Sequence, residues 1–374
     1  MGMVVIQKNR TFKLGVQEYT SHKPLIIAEL GTGHGGSMAK AKELVDAANQ
    51  AGADCVKFQI VYADEILHPN TGDVPLPGGT IRLYDCFKAL EMDERFYRDI
   101  KDYVESKGLL FLCTPFGIRS ARIIHSLGVK IMKIASPELN HDELLAEIAS
   151  YYIPTLLSSG VSRLADIENA IERFPPSHLC LLHCVTSYPA PAEDYNLRVL
   201  ASLSGLFGIC VGVSDHSLDP ILVPTLACAL GASVVEKHFC LSRNDPGLDD
   251  PIALDPTNFA LMVETIRRMS TVPFKTVIHE LEQEFGKDLV GKVMGDGVKR
   301  LADSERANYE RTNRSIHALR ELPEGAIIGQ DDIGILRTEK VLRPGLHPQW
   351  KGALIGRTVR HYIPAGEGIR FEDV

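Results

Sequence analysis

Short apolar runs alternate with amphipathic stretches along the chain from Pro24 to about Ser270. The runs that predict β-strands span residues 25–30, 55–60, 109–115, 130–136, 155–159, 179–186, 207–214 and 233–239. They are almost continuously apolar, which is typical of parallel strands covered on both faces. Between them, stretches such as 39–50 and 94–106 repeat apolar residues at helical spacing. The pattern therefore predicts a regular alternation of strand and helix.

Eight strand–helix units over roughly 250 residues are typical of a (β/α)8 TIM barrel, an α/β fold. A doubly wound open sheet is the alternative, although eight regular units favour closure. The glycines at 31–36 precede the first predicted helix, but their spacing matches neither the dinucleotide-binding nor the P-loop fingerprint. We therefore expect a (β/α)8 barrel without a glycine-rich phosphate fingerprint at its first helix.

The pattern changes after the predicted barrel. Residues 271–311 are rich in Lys and Glu and predict a linker with some helix. Residues 322–333 and 363–374 echo each other, since each has a Pro-x-Gly turn followed by an acidic pair and an apolar anchor. Such an echo indicates a compact domain with pseudo-two-fold symmetry. The predicted organisation is an N-terminal extension (1–23), a barrel (24–270), a linker (271–311) and a small C-terminal domain (312–374).

Composition narrows the function classes. The 374 residues are 45% hydrophobic and 24% charged, which is ordinary for a globular protein. A formal net charge of -8 disfavours nucleic acid or an anionic membrane as the main partner. The eight cysteines form no CxxC pair, which indicates a reducing compartment. With neither a signal-peptide layout nor an apolar stretch of membrane-spanning length, we predict a cytoplasmic protein.

Polar residues collect where the predicted strands end, which is the face that carries chemistry in TIM barrels. The candidates there are Glu29, Lys57, Gln59, Thr114, Lys133, Ser136, Glu138, Ser158, Tyr188, Ser214, His216, Glu236, His238 and Asp249. Lys57 and Lys133 lie inside apolar runs, where an unpaired ammonium group would be costly. Two lysines among several hydroxyl groups predict a seat for a phosphate or carboxylate. Glu236 alternates with Lys237, so one of the two is expected to face the helices in a structural ion pair.

His216 and His238 end two neighbouring predicted strands and form a candidate metal site. Either imidazole alone is equally compatible with a hydrogen-bonded core histidine, but the pair favours a metal. Imidazole ligands favour Mn2+ over Mg2+, with Co2+ as another option. The remaining histidines without such neighbours, which we expect at the surface, are His125, His178 and His317.

These residues lie in motifs that resemble the sialic acid synthase family, whose members join phosphoenolpyruvate to a sugar. The matching motifs are Ile27-Ala-Glu-Leu-Gly31 with His34, Val56-Lys-Phe-Gln59, Thr114-Pro-Phe116, Lys133-Ile-Ala-Ser136 with Glu138-Leu-Asn140, Ser158-Ser-Gly160, His183-Cys184 through Tyr188-Pro189, Gly212-Val-Ser-Asp-His216 and Glu236-Lys-His-Phe239. They occur in order over almost the whole chain. The C-terminal segment, entered through Arg314-Ser315, is similar to that family's antifreeze-like (SAF, β-clip) domain.

The resemblance implies a reaction and roles for residues. A 2-acetamido hexose, N-acetylmannosamine or a modified relative, would be condensed with phosphoenolpyruvate to a nine-carbon 2-keto-3-deoxy sugar acid, with release of phosphate. His216 and His238 would bind the metal, and phosphoenolpyruvate would be held by Lys57, Thr114, Lys133, Ser136, Ser158 and Ser214. Glu29, Gln59, Glu138, Tyr188 and Asp249 would face the sugar. The family forms domain-swapped homodimers, so Arg314 would reach the partner subunit's sugar site.

The chain departs from the family's usual residues at Thr32-Gly33, Pro137, Thr186 and Cys240, all near the expected sugar. The acceptor therefore stays open, with precursors of legionaminic or pseudaminic acid among the alternatives. A Schiff-base aldolase that uses Lys133 or Lys57 is a rival reaction, since barrel lysines perform that chemistry. A catalytically silent sugar-binding protein is a rival from another class.

Overall fold

The computed structural model describes residues 10–76 and 79–374. The central sheet contains eight strands, which we number β1 to β8 along the chain. They are β1 (Leu25–Gly31), β2 (Cys55–Ile60), β3 (Leu110–Pro115), β4 (Met132–Ile134), β5 (Thr155–Ser158), β6 (Leu179–Cys184), β7 (Cys210–Asp215) and β8 (Val234–His238). All the paired strands in this sheet run parallel.

The strand order is β3-β2-β1-β8-β7-β6-β5-β4, so the first and last strands of the series are neighbours. In the β1–β2 pair Glu29 lies beside Lys57, and in the β1–β8 pair it lies beside His238. The two ends of the series, β3 and β4, also pack side by side. The sheet therefore curves into a barrel, and the predicted α/β barrel fold is confirmed.

A helix follows each barrel strand. The eight helices are α1 (Met38–Gln50), α2 (Glu94–Ser106), α3 (Ile118–Ser126), α4 (Asp142–Ala149), α5 (Leu164–Ile171), α6 (Val199–Phe207), α7 (Leu222–Ala229) and α8 (Pro256–Met269). Two short helices, Ala63–Ile66 and Leu83–Ala89, and a small antiparallel pair of strands, Asp73–Leu76 and Gly79–Arg82, lie between β2 and α2. Among the residues described, no helix is both long and apolar enough to cross a membrane.

Local sequence signals explain where several helices begin and end. Ser37 and Asp93 accept hydrogen bonds from the backbone amides three residues later, and so cap α1 and α2. Asp255 does the same for α8, with Pro256 in the first helical turn. One prediction was wrong here: Phe207 does not begin a strand but ends α6. Gly208 follows it with a φ of 72°, a left-handed conformation that terminates the helix.

The interior of the barrel is filled with apolar side chains at the amino ends of the strands. The strands contribute Leu25, Ile27, Cys55, Leu112, Ile131, Leu156, Cys180, Leu182, Cys210 and Val234 to one buried cluster. An N-terminal hairpin, Phe12–Leu14 paired with Gln17–Tyr19, adds Phe12, Leu14 and Tyr19 to the same cluster. The amino end of the barrel is thereby packed shut with apolar side chains, and the carboxyl end is the one that carries chemistry in TIM barrels.

Two further helices follow the barrel: α9 (Phe274–Phe285) and α10 (Lys287–Met294). The C-terminal domain contains the antiparallel strands β9 (Arg314–Ala318) and β10 (Ile333–Arg337) and the short helix Lys351–Leu354. It has a hydrophobic core of its own, built around Ile316, Leu322, Ile333, Leu354, Val359, Ile363 and Ile369.

The sequence echo in the C-terminal domain corresponds to a structural repeat. Leu322 and Ile363, which begin the two copies, exchange backbone hydrogen bonds of 2.9 and 3.0 Å. Asp332 accepts a hydrogen bond from the amide of Gly329 at 2.8 Å, and Asp373 accepts one from the amide three residues before it at the same distance. The two copies therefore pair with each other and make the same turn.

Candidate active site

The candidate site is the layer of side chains directly above the apolar interior of the barrel. Side chains two residues apart on a strand point to the same face, so each site residue stands above an apolar one. Ile27 is followed in this way by Glu29, and Cys55 by Lys57. The same spacing relates Leu112 to Thr114, Ile131 to Lys133, Leu156 to Ser158 and Val234 to Glu236.

One oxygen of Glu236 joins the polar residues of this layer. Its Oε1 accepts hydrogen bonds from Lys133 Nζ at 2.7 Å, Lys57 Nζ at 3.0 Å and Ser214 Oγ at 2.9 Å. Lys57 Nζ also lies 3.2 Å from Oε2 of Glu29. Gln59 donates to the other oxygen of Glu29 at 2.6 Å. We call these six residues (Glu29, Lys57, Gln59, Lys133, Ser214 and Glu236) the interior cluster.

Burial and charge set the pKa values of the interior cluster in opposite directions. Burial raises the pKa of Glu29 to about 7, although Lys57 partly opposes the shift. Burial also lowers the pKa of Lys133 to about 8, against the attraction of Glu236. For Glu236 the two lysines outweigh burial, and its pKa is lowered. The cluster thus holds a firmly ionised carboxylate next to two groups that titrate near neutral pH.

Several polar atoms around the interior cluster have no partner among the described residues of the protein. They are Thr114 Oγ1, Ser158 Oγ, Glu236 Oε2 and Glu29 Oε2, of which the last makes only the ionic contact with Lys57. Buried polar atoms are normally hydrogen-bonded, so this group of unpartnered atoms makes the layer a candidate ligand site. Ser136 lies nearby and accepts a hydrogen bond from the amide of Gly160 at 3.0 Å.

His216 and His238 lie together at the mouth of this layer, with ring centroids 5.5 Å apart. Tyr188 stacks on His216 at 4.4 Å, and Asp249 Oδ2 lies 3.8 Å from His238 Nδ1. His216 Nδ1 donates to the carbonyl of Val185 at 2.8 Å, so its Nε2 is the nitrogen left to accept or to bind a metal. Within the described part of the chain, no group of three or more His, Cys, Asp or Glu residues suits a metal ion.

Glu138 and Arg314 are joined to each other rather than to the interior cluster. Arg314 Nε donates to Glu138 Oε2, and Arg337 Nη2 donates to Oε1 at 2.7 Å. The two arginines are opposite each other in the β9–β10 register. Glu138 has no exposed surface, and the two guanidinium groups lower its pKa although burial acts to raise it. The carboxylate therefore anchors the C-terminal domain to the barrel.

The expectation that Arg314 reaches a partner subunit stays a prediction, because the structure describes a single chain. Within one chain, the backbone of Arg314 is paired with the side chain of Asn140 through hydrogen bonds of 2.8 and 3.0 Å. Its Nη2 donates to the carbonyl of Phe116 at 2.6 Å. Within this chain, the C-terminal domain thus rests on the loops after β3 and β4.

The sequence interpretation left the role of one site residue open and missed another. Glu236 was only one of two candidates for a structural ion pair, yet it holds both lysines, whereas Lys237 is the residue that faces away, bonded to Asp215 at 2.5 Å. Arg337 had no sequence signal, since only its position opposite Arg314 brings it to Glu138. The surface prediction for His317 was wrong: it is buried and bonded to Ser315 at 2.8 Å.

Comparisons with known proteins agree with this architecture. The chain is 33% identical over 361 residues to the N,N'-diacetyllegionaminic acid synthase of Legionella pneumophila subsp. pneumophila, which covers 93% of this chain and 94% of the relative. It is 29% identical over 345 residues to the N-acetylneuraminate-9-phosphate synthase of Homo sapiens, with 90% and 89% covered. The crystal structure of spore coat polysaccharide biosynthesis protein SpsE from Bacillus subtilis matches with a TM-score of 0.80 at 31% identity, covering 98% of this chain and 99% of that one.

Family models match both parts of the chain. The SAF domain model matches residues 313–374, which contain β9 and β10. The NeuB family model matches residues 44–275, which is more than half of the chain and contains β2 to β8. The chain therefore belongs to the NeuB family, the family of sialic acid synthases, and ends in a SAF domain.

Proposed function

We propose that this chain is a cytoplasmic enzyme that condenses phosphoenolpyruvate with the open-chain aldehyde of a 2-acetamido hexose. The product is a nine-carbon 2-keto-3-deoxy sugar acid, and phosphate is released. The observation that carries the proposal is the interior cluster, in which Lys57 and Lys133 converge on one oxygen of Glu236. Thr114, which is paired with Gln59 in the β2–β3 register, and Ser158 add hydroxyl groups that have no partner among the described residues.

The interior cluster suits a small, highly charged anion. Lys133 Nζ makes one hydrogen bond within the described residues, to Glu236, so two of its N–H groups are available to a ligand. Glu236 holds the ammonium groups of Lys57 and Lys133 close together, which focuses positive charge on one side of the carboxylate. Thr114 and Ser158 add neutral donors for phosphate or carboxylate oxygens. Ser136 and Ser214 complete the proposed phosphoenolpyruvate site.

We assign the proton transfers to Glu29. In the first step, the electron pair of the C2=C3 double bond of the enol phosphate forms a bond from C3 to the aldehyde carbon, which leaves C2 cationic. The electron pair of the aldehyde double bond moves to its oxygen, which takes a proton from the carboxyl group. Water then adds to C2 and returns a proton to the carboxylate. The C2–O bond to phosphate then breaks as the new C2 hydroxyl group passes its proton to the departing phosphate and becomes the keto group. A pKa of about 7 suits a group that must first donate and then accept. Glu138 is excluded from this role because two arginines hold it ionised.

His216 and His238 are the residues proposed to hold a divalent metal, with Mn2+ favoured by imidazole ligation. The hydrogen bond from His216 to Val185 fixes its ring and directs Nε2 outward, as second-shell partners of metal ligands do. When bound, the metal supplies Lewis-acid polarisation of the aldehyde. Two protein ligands leave coordination positions for substrate oxygens. Tyr188, Asp249 and Gln59 would line the sugar side of this position.

We also propose a homodimer in which the C-terminal domains are exchanged. Exchange would make the Arg314–Glu138 and Arg337–Glu138 contacts between subunits instead of within one chain, with the same side-chain geometry. Light scattering coupled to gel filtration would give twice the chain mass of 41.2 kDa. Cross-links between cysteines introduced at Asn140 and Ser315 would then join two chains if the domains are exchanged, and stay within one chain if they are not.

A phosphate-release screen tests the proposed reaction. Purified protein is mixed with phosphoenolpyruvate, Mn2+ and a panel of N-acetylhexosamines that includes their 6-deoxy diamino relatives. We expect phosphate release with at least one acceptor, its loss in excess chelator and its recovery with Mn2+. His238→Ala is expected to bind Mn2+ more weakly and to remain inactive at saturating metal. Full activity of that variant with unchanged Mn2+ affinity would remove the metal site from the proposal.

One observation favours a second candidate, a Schiff-base aldolase. The pKa of Lys133 is lowered to about 8, which raises the fraction of free amine. Borohydride treatment in the presence of a keto sugar acid would then trap a covalent adduct on Lys133, and chelator would have no effect. No adduct and full dependence on metal are the results expected for the synthase.

A further inference from the structure

Residues 299–313, which lead from the barrel into the SAF domain, form hydrogen bonds with two loops of the candidate site. Oε1 of Glu305 accepts hydrogen bonds from the amides of Val161 and Thr186, both at 2.7 Å. The carbonyls of the same two residues accept hydrogen bonds from Asn313 at 3.0 Å and Asn308 at 3.3 Å, respectively. One segment therefore satisfies all four backbone groups of these two loop residues.

Glu305 is the centre of this arrangement. It is 1% exposed, and its Oε2 accepts a third backbone hydrogen bond from Ala302 at 3.2 Å. A carboxylate has room for several donors, so one side chain can hold loops from two neighbouring strands. Val161 has a φ of 43°, which is unfavourable for a β-branched residue and persists only when the surroundings hold it.

The two loops lie against each other at the proposed phosphoenolpyruvate site. The amide of Gly160 donates to Ser136 Oγ at 3.0 Å. A Cβ atom on Gly160 would stand 2.0 Å from Thr186 Oγ1 and 2.9 Å from Ser136 Oγ, so nothing larger than glycine fits. Ser158 lies two residues before Gly160. A shift of Val161 or Thr186 would therefore move the hydroxyl groups proposed to hold the substrate.

Lys299 is a third side chain, after Glu305 and Asn313, that bonds to the loop after β5. Lys299 Nζ donates to the carbonyl of Ser159 at 3.2 Å. The loop after β5 is thus held at Ser159 and at Val161, the residues on either side of Gly160. The loop geometry depends on residues that are more than 100 positions away in the sequence.

We propose that Glu305 is a positioning residue that fixes the loops after β5 and β6 in the geometry that binds phosphoenolpyruvate. The expected effect on phosphoenolpyruvate binding rests on the proposed function of the site. The positioning of the two loops by Glu305 does not depend on that function. Glu305 touches neither substrate, so its effect passes through Ser158, Ser136 and Thr186. Its loss should weaken phosphoenolpyruvate binding more than it slows the chemical step.

The test compares Glu305→Ala with Glu305→Gln and a matched control. Glutamine keeps an oxygen that can accept from Val161 and Thr186. Asp332→Ala is the control, since it also removes a carboxylate that caps a short turn but lies in the SAF domain away from these loops. Amide hydrogen exchange of residues 158–162 and 184–188 is measured for each variant, together with kcat and KM for phosphoenolpyruvate.

We expect Glu305→Ala to speed exchange in both loops and to raise the KM for phosphoenolpyruvate about 10-fold, the loss expected from hydrogen bonds to a charged group. The expected change in kcat is smaller, Glu305→Gln should raise KM by at most about 3-fold, and Asp332→Ala should leave both loops and KM unchanged. Unchanged exchange in both loops, with KM within about 2-fold of the parent in Glu305→Ala, would overturn the inference. If the parent protein released no phosphate, the proposed function would fail, while hydrogen exchange would still decide the positioning role.

Discussion

Two buried clusters of lysine and carboxylate share strands β7 and β8 and face opposite sides of the sheet. On the inner face of the barrel, Glu236 holds Lys57 and Lys133. On the outer face, Lys237, the next residue along β8, is paired with Asp215 of β7. Both clusters are almost completely buried. Burial and ion pairing alone therefore do not distinguish a catalytic cluster from a structural one.

What distinguishes the two clusters is the capacity for hydrogen bonds that is left over. Lys237 Nζ donates to Asp215, to the carbonyl and hydroxyl oxygens of Ser217, and to the carbonyl of Asp219. Both oxygens of Asp215 are also bonded to Ser217. The interior cluster, in contrast, keeps Glu236 Oε2 unpartnered within the described residues. The outer cluster is complete without a ligand, and the inner one is not.

The largest expected effect is that of Lys133→Met on activity. The variant leaves Glu236 bonded to Lys57 and Ser214, so no carboxylate is stranded. We expect phosphate release to fall about 10³-fold and the free energy of unfolding to change by less than about 1 kcal/mol. Steady-state kinetics and urea unfolding measure the two quantities. Turnover within tenfold of the parent would show that the ammonium group is not part of the phosphate site.

Lys237→Met is the mirror experiment on the outer cluster. Asp215 would lose the ammonium group that balances its charge, and breaking a buried ion pair in this way costs about 3 kcal/mol. The folded fraction should release phosphate at the parent rate, because the substitution faces away from the barrel interior. Urea unfolding and kinetics corrected for folded protein are the measurements. A Lys237→Met variant that is stable but as inactive as Lys133→Met would contradict the purely structural role of the outer cluster.

Much of the fold follows from the sequence, whereas the identity of the inner and outer residues does not. Continuous apolar runs mark the strands because both faces of the sheet are covered, and that same property hides which face points inward. Alternation required that Glu236 and Lys237 face opposite ways, but the direction depends on how β8 pairs with β1 and β7. The site residues on one strand were thus predicted as a set, without their orientation.

Residues that act across long sequence separations were beyond the sequence interpretation. Glu305 lies in a stretch predicted as a charged linker, yet its carboxylate bonds to amides at 161 and 186. Arg337 and His317 gain their partners only through the β9–β10 pairing and the packing of the SAF domain. No local pattern encodes such contacts, since they depend on which loops the barrel brings to its carboxyl end.

Glu29→Gln sharpens the comparison through its dependence on pH. The pKa of Glu29 is about 7 in the folded protein against an ordinary value of 4.5, so between these pH values only the unfolded chain has lost the proton. Stability from this group is therefore present at low pH and lost as pH rises through 7. Because glutamine does not titrate, the variant should be about 2 kcal/mol more stable than the parent at pH 8, and much less so at pH 5.

Glu236→Gln is expected to change the stability of the protein in the opposite direction to Glu29→Gln. Its pKa is lowered by Lys133 and Lys57, so the ionised carboxylate stabilises the fold at every pH above the ordinary value. Urea unfolding from pH 5 to 8 should show this variant less stable than the parent throughout. A stability difference for Glu29→Gln that does not grow with pH would contradict the raised pKa.

The smallest expected effects are those of two Ser→Ala changes, one in each cluster. Ser214 donates to Glu236 in the interior cluster, and Ser217 donates to Asp215 in the outer one. Each Ser→Ala change removes one hydrogen bond to a carboxylate and should cost about 1 kcal/mol of stability. Only Ser214→Ala should also weaken phosphoenolpyruvate binding, by about 10-fold, because only that carboxylate faces the substrate. An equal loss of phosphoenolpyruvate affinity in Ser217→Ala would mean that the outer cluster, although its hydrogen bonds are complete, still controls the geometry of the inner one.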